Sequence, residues 1–350
     1  MYTHEVDRHA RHQAVRTTQR RPYPPRMRGK DKQLAAFIPA LKRHPVVTYF
    51  VLVYALSWAC WIPLAIARTS ASVPFLLVAI VGVSMPGLLG IALTALVSGK
   101  TGLAELFGRL GRVRQPLTWY AAALLLVPAL LLAAAAIPAL LGVATITFAF
   151  SSFTVLQSAA SGLLEEPGWR GFALPRMQAR RPAFTASLLL GVLWGSWHLP
   201  LMIARGLPLT TVGLIQFVFF VLLVTAWAVL LTWVYNNTNG SLFLMVLMHT
   251  VLDIAPATIQ PGNWIGGALS LALTWATVAL VVVRAGPARL SRSSGPDPGP
   301  KPSPARSAGR WTARASASLS PNRARWPPTS GTRPPARSAA RHRPRAGTGP

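Results

Sequence analysis

The stretch Leu209–Tyr235, LTTVGLIQFVFFVLLVTAWAVLLTWVY, runs for 27 residues without Asp, Glu, Lys or Arg. An α-helix needs about 20 consecutive apolar residues to cross the ~30 Å hydrocarbon core of a bilayer. The chain between Pro45 and Arg284 contains further apolar runs: Val46–Ala67, Val73–Val97, Leu117–Leu141, Phe153–Leu164, Ala183–Ala204, Ser241–Thr258 and Trp264–Val283. The run Phe153–Leu164 is short, so we expect its helix to start near Thr145. The pattern predicts an all-α membrane protein, a polytopic bundle of about eight transmembrane helices.

The overall composition also favours a membrane protein. The hydrophobic fraction is 52% and the mean hydropathy is positive. Buried helices of a large soluble enzyme would not give so many consecutive apolar runs with so few charges. Cys60 is the only cysteine, which excludes an intrachain disulfide and a cysteine-rich metal site.

The net charge of +27 comes mainly from the two ends of the chain. Residues 1–44 hold 11 Lys or Arg against 3 acids, and residues 285–350 hold 13 against 1. We predict a basic cytoplasmic tail over 1–44, a membrane domain over 45–284 and a disordered Pro/Arg/Ser-rich tail over 285–350. Basic residues beside membrane spans explain the charge without a specific nucleic-acid partner. The predicted partner of these tails is the lipid bilayer.

The loop charges predict an orientation in the membrane. With eight spans, the loops after spans two and four lie on the same side as both tails, and they are basic: Lys100, Arg109, Arg112, Arg114, Arg170, Arg176, Arg180 and Arg181. The opposite loops hold only Arg68 and Arg205. The positive-inside rule then places both termini in the cytoplasm, and the Arg/Ala/Pro/Gly bias favours a bacterial plasma membrane. Residues Leu103–Leu110 have the apolar spacing of a short amphipathic helix on the inner face.

Three of the eight acidic residues lie in or against apolar runs: Glu165, Glu166 and Asp253. An ionisable side chain at membrane depth costs roughly 2.5–3.5 kcal/mol, so it usually has a function. Adjacent carboxylates in a low-dielectric site resist ionising together, which suits one of them to general acid or base chemistry. We expect Glu166 and Arg170 to share a helix face and the helix to break near Pro167. Taken alone, this motif is also typical of a charged helix end.

Two histidines lie on other apolar runs. His198 follows Trp194 by four residues. The alternative interpretation of this pair is an aromatic belt at the membrane interface. His249 and Asp253 share a face of their run, where a self-satisfied buried pair is the alternative. Buried ionisable groups on separate spans usually face one another or a water-filled cavity. Their convergence predicts either a hydrolytic centre or a metal site with nitrogen and oxygen ligands.

These residues, in this order, resemble the three motifs of the CPBP intramembrane proteases. This is the family of CAAX prenyl endopeptidases and bacteriocin-processing or bacteriocin-immunity proteins, also called the Abi group. The similarity covers about Val46–Val283, and its motifs are Glu165-Glu166-x-x-x-Arg170, Trp194-x-x-x-His198 and His249-x-x-x-Asp253. Two positions depart from the usual pattern, because Trp194 stands where Phe is usual and Asp253 where Asn is common.

The resemblance implies an intramembrane endopeptidase that hydrolyses a peptide bond of a membrane-associated peptide or protein. It implies that Glu165 acts as base on a water and that His198 helps to bind that water. His249 and Asp253 would stabilise the oxyanion. The implied supporting residues are Glu166, Arg170 and Trp194.

The family has been described both as metal-dependent and as metal-free glutamic proteases, and this sequence is compatible with either. An ionised Asp253 would repel an oxyanion, so it would have to be protonated to act as a donor. Asp is, however, a better metal ligand than Asn. In the metal-dependent alternative, a divalent metal such as zinc would be held by Glu165, His198, His249 and Asp253.

Two other classes of function fit the buried ionisable residues. An ion- or proton-coupled transporter would use them as a charge pathway, although the chain lacks the clear internal duplication that is common in transporters. A non-catalytic membrane scaffold or immunity protein would need them only for structure or partner binding. The sequence predicts no particular oligomeric state.

Overall fold

The computed structural model describes residues 42–67, 73–260 and 262–291. They form apolar helices joined mainly by short turns: α1 (Pro45–Ala67), α2 (Val73–Leu110), α3 (Leu117–Leu140), α4 (Ser152–Gly168), α5 (Leu174–Gln178), α6 (Ala183–Trp197), α7 (Leu199–Ala204), α8 (Thr211–Asn237), α9 (Leu242–Thr258) and α10 (Trp264–Ala285). Two short strands, β1 (Thr147–Phe148) and β2 (Ile259–Gln260), pair antiparallel. The predicted all-α membrane fold is confirmed. Arg68 and the predicted disordered segment beyond Ser291 lie outside the described residues.

Six helical segments of the described chain are long and apolar enough to cross a membrane: α1, α2, α3, α8, α10 and the continuous stretch Ala183–Ala204. The chain is therefore an integral multi-pass membrane protein. All eight predicted runs form helices, but the count of eight spans is not confirmed. The helix α9 is apolar but only 17 residues long, and α4 is equally short and carries two carboxylates.

The helix α4 starts later than we expected from the sequence. Residues near Thr145 are not helical, because the chain there leads into β1. The helix begins at Ser152, where the hydroxyl of Ser151 accepts a hydrogen bond from the backbone N–H of Thr154. This is an N-cap, and it ends the extended segment in a defined place.

The helix α2 contains a break at Gly99, whose φ of 63° lies in the left-handed region. Glycine adopts this conformation at little cost because it has no Cβ. The break separates the apolar part of α2 from the segment Leu103–Leu110, which the sequence predicted as a short surface helix.

The basic loops gather at one end of the bundle. The guanidinium of Arg109 donates to the hydroxyl of Tyr235 at 2.7 Å, and that of Arg176 lies 3.4 Å from the hydroxyl oxygen of Ser98. The amide of Asn237 donates to a carbonyl just past α10 at 2.9 Å. The ends of α2, α8 and α10 and the segment after α4 therefore lie together, as the orientation argument requires. Which side of the membrane they face stays a prediction.

The helix α4 packs between α2 and α9. Its last residue, Gly168, touches α2 so closely that a Cβ there would lie 2.1 Å from the carbonyl oxygen of Pro86. This close approach brings the end of α4, with Glu165 and Glu166, into the centre of the described bundle, where both side chains are buried.

The predicted break near Pro167 takes the form of a π-helical turn. Helical structure continues through Pro167, and residues Trp169–Ala173 form a π-helix that leads into α5. Proline lacks the N–H that an α-helix needs at that point, and single π-turns inside helices are frequent at functional sites. The change of register follows directly after the two carboxylates.

Candidate active site

The carboxylate of Glu165 is held by three hydrogen-bond donors. Its Oε2 accepts from the indole Nε1 of Trp169 at 2.9 Å and of Trp194 at 3.0 Å, and its Oε1 accepts from the Ser161 hydroxyl at 3.2 Å. The residue is only 2% exposed. The sequence analysis did not single out Ser161 and Trp169, although each lies four residues from Glu165 on the same helical face. That spacing was the signal that could have identified them.

The second carboxylate, Glu166, holds a cation and a histidine. Its Oε1 accepts from Arg170 Nη1 at 2.7 Å, so the two side chains share a face as the spacing predicted. The same oxygen lies 2.7 Å from His249 Nδ1, a contact between α4 and α9 that the sequence did not reveal. Because Arg170 pairs with Glu166 as a carboxylate, His249 Nδ1 is the donor in this contact. The histidine ring is thereby oriented with its Nε2 free of Glu166.

The predicted pair of His249 and Asp253 is looser than a hydrogen bond. The distance from His249 Nε2 to Asp253 Oδ2 is 3.8 Å, beyond normal hydrogen-bond length. The Asp253 side chain is 39% exposed, so Asp253 is not the deeply buried residue that its apolar run suggested. The histidine is instead fixed by Glu166 and packs against the ring of Trp194, with 5.0 Å between the ring centroids.

His198 lies at the junction of α6 and α7. Its Nδ1 is 2.8 Å from the carbonyl oxygen of Trp194. A carbonyl only accepts, so Nδ1 carries the proton and Nε2 of the neutral ring is left as an acceptor. The rings of Trp197 and Phe220 pack edge-on against the imidazole at 4.7 Å and 5.3 Å, which restricts its orientation.

One indole ring, that of Trp194, connects the predicted site residues. It donates to Glu165, packs against His249, lies 4.5 Å below the guanidinium of Arg170 and is 6.4 Å from the His198 ring. Five predicted residues form a chain of direct contacts: Glu165, Glu166, Arg170, Trp194 and His249. His198 adjoins this cluster through Trp194, and Asp253 adjoins it through His249. The side chains thus come from α4 and the π-helical turn after it, from the end of α6 and its junction with α7, and from α9.

The described side chains do not form a ready metal centre. Among these residues, no three His, Cys, Asp or Glu groups lie close enough together to hold one ion. Glu165 Oε2 already accepts two indole hydrogen bonds, and His249 Nδ1 is occupied by Glu166. The predicted metal ligands are therefore not gathered around one point in the described part of the chain, and the metal-dependent alternative stays a prediction.

Comparison with known proteins gives the same family as the motifs. Residues 147–255 match the family described as type II CAAX prenyl endopeptidase, Rce1-like, and this segment contains every predicted site residue. The chain is also similar to CAAX prenyl protease 2 of Methanococcus maripaludis, with 28% identity over 93 residues, 26% of this chain and 34% of that protein. The aligned part thus spans about a third of the length of this relative. Both comparisons support the predicted resemblance to the CPBP (CAAX) proteases, over the segment that contains the three motifs.

Proposed function

We propose that this protein is an intramembrane endopeptidase that cleaves a peptide bond of a membrane-associated peptide or protein with a water activated by Glu165. The observation that carries the proposal is the environment of Glu165. A carboxylate buried in a membrane bundle is held by two indole N–H groups and a serine hydroxyl, and Trp194 connects it to two histidines. Such a group is too costly to keep for packing alone.

In the first step, Glu165 removes a proton from water. Its Oε2 is saturated by two indole donors, whereas Oε1 accepts only from Ser161, so Oε1 is the basic atom. The free Nε2 of His198 accepts the other hydrogen of the water. A water held by two acceptors directs its oxygen lone pair at the substrate carbonyl carbon, which becomes tetrahedral.

In the second step, His249 stabilises the negative charge on the former carbonyl oxygen. Its Nδ1–H is held by Glu166, so Nε2 can donate only from the doubly protonated ring. The carboxylate of Glu166, 2.7 Å from Nδ1, favours that cation through its negative charge. Loss of one donor to an oxyanion typically costs ~10²–10³ in rate.

In the last step, the C–N bond breaks and Glu165 returns its proton to the leaving nitrogen. The products are a new carboxyl group and a new amine, and Glu165 is again ionised. Arg170 takes no proton in this step. Its ion pair with Glu166 holds in place the carboxylate that orients His249.

The test is Glu165→Gln in purified protein reconstituted into liposomes. Glutamine keeps an oxygen that accepts the two indole hydrogen bonds but cannot take up the proton, so turnover should fall by about 10²–10⁴. Cleavage of a panel of apolar membrane peptides, including a prenylated CAAX peptide, is followed by mass spectrometry. The matched control is Glu105→Gln, because Glu105 is 59% exposed and lies outside the site. Turnover retained by Glu165→Gln would contradict the assignment of Glu165 as the general base.

The same preparations separate the alternative functions. Ion flux that depends on Glu165 in liposomes, without proteolysis of any peptide, would support a transporter. Partner binding that survives alanine at Glu165, His198 and His249 would support a scaffold or immunity protein.

A further inference from the structure

A pocket with a volume of about 200 Å³ lies between the start of α1 and the segment after α4. Three basic residues line it, His44, Arg176 and Arg180, and its other lining residues are apolar and include Val46 and Val47. No carboxylate from the described part of the chain lines this pocket. The pocket therefore combines positive charge with apolar walls, at the end of the bundle where the basic loops gather.

The positive charge of the pocket is not neutralised by ion pairs among the described residues. No described carboxylate lies within ion-pair distance of His44, Arg176 or Arg180. Glu105 acts electrostatically on Arg176 but is itself paired with Arg109. The pocket also adjoins the first turn of α1, and the first N–H groups of an α-helix have no partner within the helix. Both features favour a bound anion.

Arg176 is already ordered by contacts within the protein. Its Nη1 donates to the carbonyl oxygen of Phe172 at 3.0 Å, and its Nη2 lies 3.4 Å from the hydroxyl oxygen of Ser98. The guanidinium also stacks 3.9 Å from the centroid of the Phe172 ring. Because a guanidinium has five N–H donors, these contacts leave donors for a ligand. An ordered fork of donors binds a phosphate with little further loss of side-chain entropy.

The apolar walls of the pocket continue onto an exposed surface of α1. Val47 and Val51 are 62% and 60% exposed, and residues four apart share one face of a helix. An acyl chain gains from contact with this face, whereas a soluble anion does not. The three basic side chains would also repel the choline group of a zwitterionic lipid. Charge and apolar surface together fit a lipid with a net negative headgroup.

We propose that this pocket is a binding site for an anionic phospholipid. Its phosphate contacts His44, Arg176 and Arg180, and one acyl chain lies along the face of α1 that contains Val47 and Val51. Guanidinium groups bind phosphate oxygens through charge-assisted hydrogen bonds, and basic pockets between membrane helices are suited to lipid headgroups. The inference does not depend on the proposed function.

A lipid in this pocket would join α1 to the turn that follows the two buried carboxylates. Arg176 contacts Phe172, which lies in the π-helical turn. The Phe172 ring packs against Tyr49 of α1, with 5.2 Å between the ring centroids. The headgroup therefore reinforces, from outside the bundle, a contact between α1 and the turn that contains Trp169 and Arg170.

The test counts bound lipids by native mass spectrometry. The full chain in a non-ionic detergent is titrated with phosphatidylglycerol or phosphatidylcholine of identical acyl chains. A basic residue near a membrane surface contributes about a 5-fold preference for an anionic lipid, so the two arginines predict that the first phosphatidylglycerol binds ~25-fold more tightly than the first phosphatidylcholine. Inorganic phosphate is titrated in parallel and should bind much more weakly than the anionic lipid.

The informative variant is Arg180→Gln, because Arg180 is exposed and its loss should leave the melting temperature in phosphatidylcholine unchanged. The preference for phosphatidylglycerol should fall about 5-fold. The matched control is Arg181→Gln, which removes the same charge from the next residue. Arg181 is also exposed but does not line the pocket, so the full preference should remain.

Three outcomes would overturn the inference. The two lipids could bind equally well, or Arg180→Gln and Arg181→Gln could reduce the preference equally, which would show diffuse attraction by the basic loops. Alternatively, inorganic phosphate could bind as tightly as phosphatidylglycerol, which would assign the pocket to a soluble phosphate. Because no cleavage is measured, none of these outcomes bears on the assignment of Glu165.

Discussion

At the scale of single residues, the most informative departure from the family pattern is Trp194. A phenylalanine at this position would supply the same aromatic packing against His249 and Arg170. The indole adds an N–H that donates to Glu165 at 3.0 Å. In this protein, the second motif therefore supplies both His198 and a direct contact to the proposed base.

The second departure, Asp253, leads to a prediction about its charge. The Asp253 carboxylate lies 3.8 Å from His249 Nε2. An asparagine amide at this position could donate a hydrogen bond to the oxyanion without first taking up a proton. We expect Asp253→Asn to keep or raise kcat/KM at neutral pH, and Asp253→Leu to lower it by about 10-fold through loss of one polar interaction. The measurement is peptide cleavage by the two purified variants.

The opposite result at Asp253 would be equally informative. Suppose that Asp253→Asn abolished cleavage, and that zinc restored cleavage to the metal-stripped original protein but not to the variant. A carboxylate at this position would then be required. That outcome would contradict the donor role and support the metal-dependent alternative.

At the scale of secondary-structure elements, the site depends on how closely α4 approaches α2 and α9. The π-helical turn Trp169–Ala173 begins three residues after Glu166. It presents Trp169 to Glu165 and Arg170 to Glu166, each at a spacing of four residues. The helix α9 supplies His249 from the other side. A small displacement of α4 would separate all of these pairs.

We therefore expect Gly168→Ala to impair the protein. The added Cβ would lie 2.1 Å from the Pro86 carbonyl oxygen and 2.4 Å from the Tyr49 hydroxyl, so the helices would have to move apart. Overpacking of this kind costs about 1–3 kcal/mol. The expected result is a lower melting temperature in detergent together with reduced cleavage.

The matched control for this change is Gly108→Ala, where a Cβ would meet no atom within 4 Å. Alanine there should be neutral or slightly stabilising, by up to about 1 kcal/mol. Equal melting temperatures for the two variants would contradict the close-packing argument for Gly168.

At the scale of the whole molecule, the contacts among the basic loops lead to a prediction of topology. Arg109 and Arg176 lie at the end of the bundle where α8 and α10 terminate, and basic loops are retained in the cytoplasm. Green fluorescent protein fused after Ser291 should fluoresce, whereas alkaline phosphatase fused there should be inactive. A reporter inserted after Gly206, which follows α7, should show the reverse. Active phosphatase after Ser291 would contradict the predicted orientation.

Much of the architecture was predictable because membrane insertion depends on local properties of the chain. Runs such as Val46–Ala67 and Leu209–Tyr235 predicted helices whose ends the structure places within two residues. The prediction was weakest for Phe153–Leu164, since a short run next to carboxylates does not show where its helix begins. The contact between Glu166 and Arg170 was predictable for the same reason, because it follows from helical spacing alone.

The contacts between distant residues could not be predicted in this way. Glu166 meets His249, 83 positions along the chain, and Glu165 meets Trp194, 29 positions along. No helical periodicity relates these pairs.

Hydrophobic runs and motif spacing determined the class of fold, the family resemblance and the candidate residues, because each depends only on short stretches of the chain. Only the packing of α4 against the other helices decided which distant groups the two carboxylates contact. It placed Trp194 against Glu165 and His249 against Glu166. The physical reason is that a buried polar group must find its partner in three dimensions, and the partner's helix is positioned by the whole bundle.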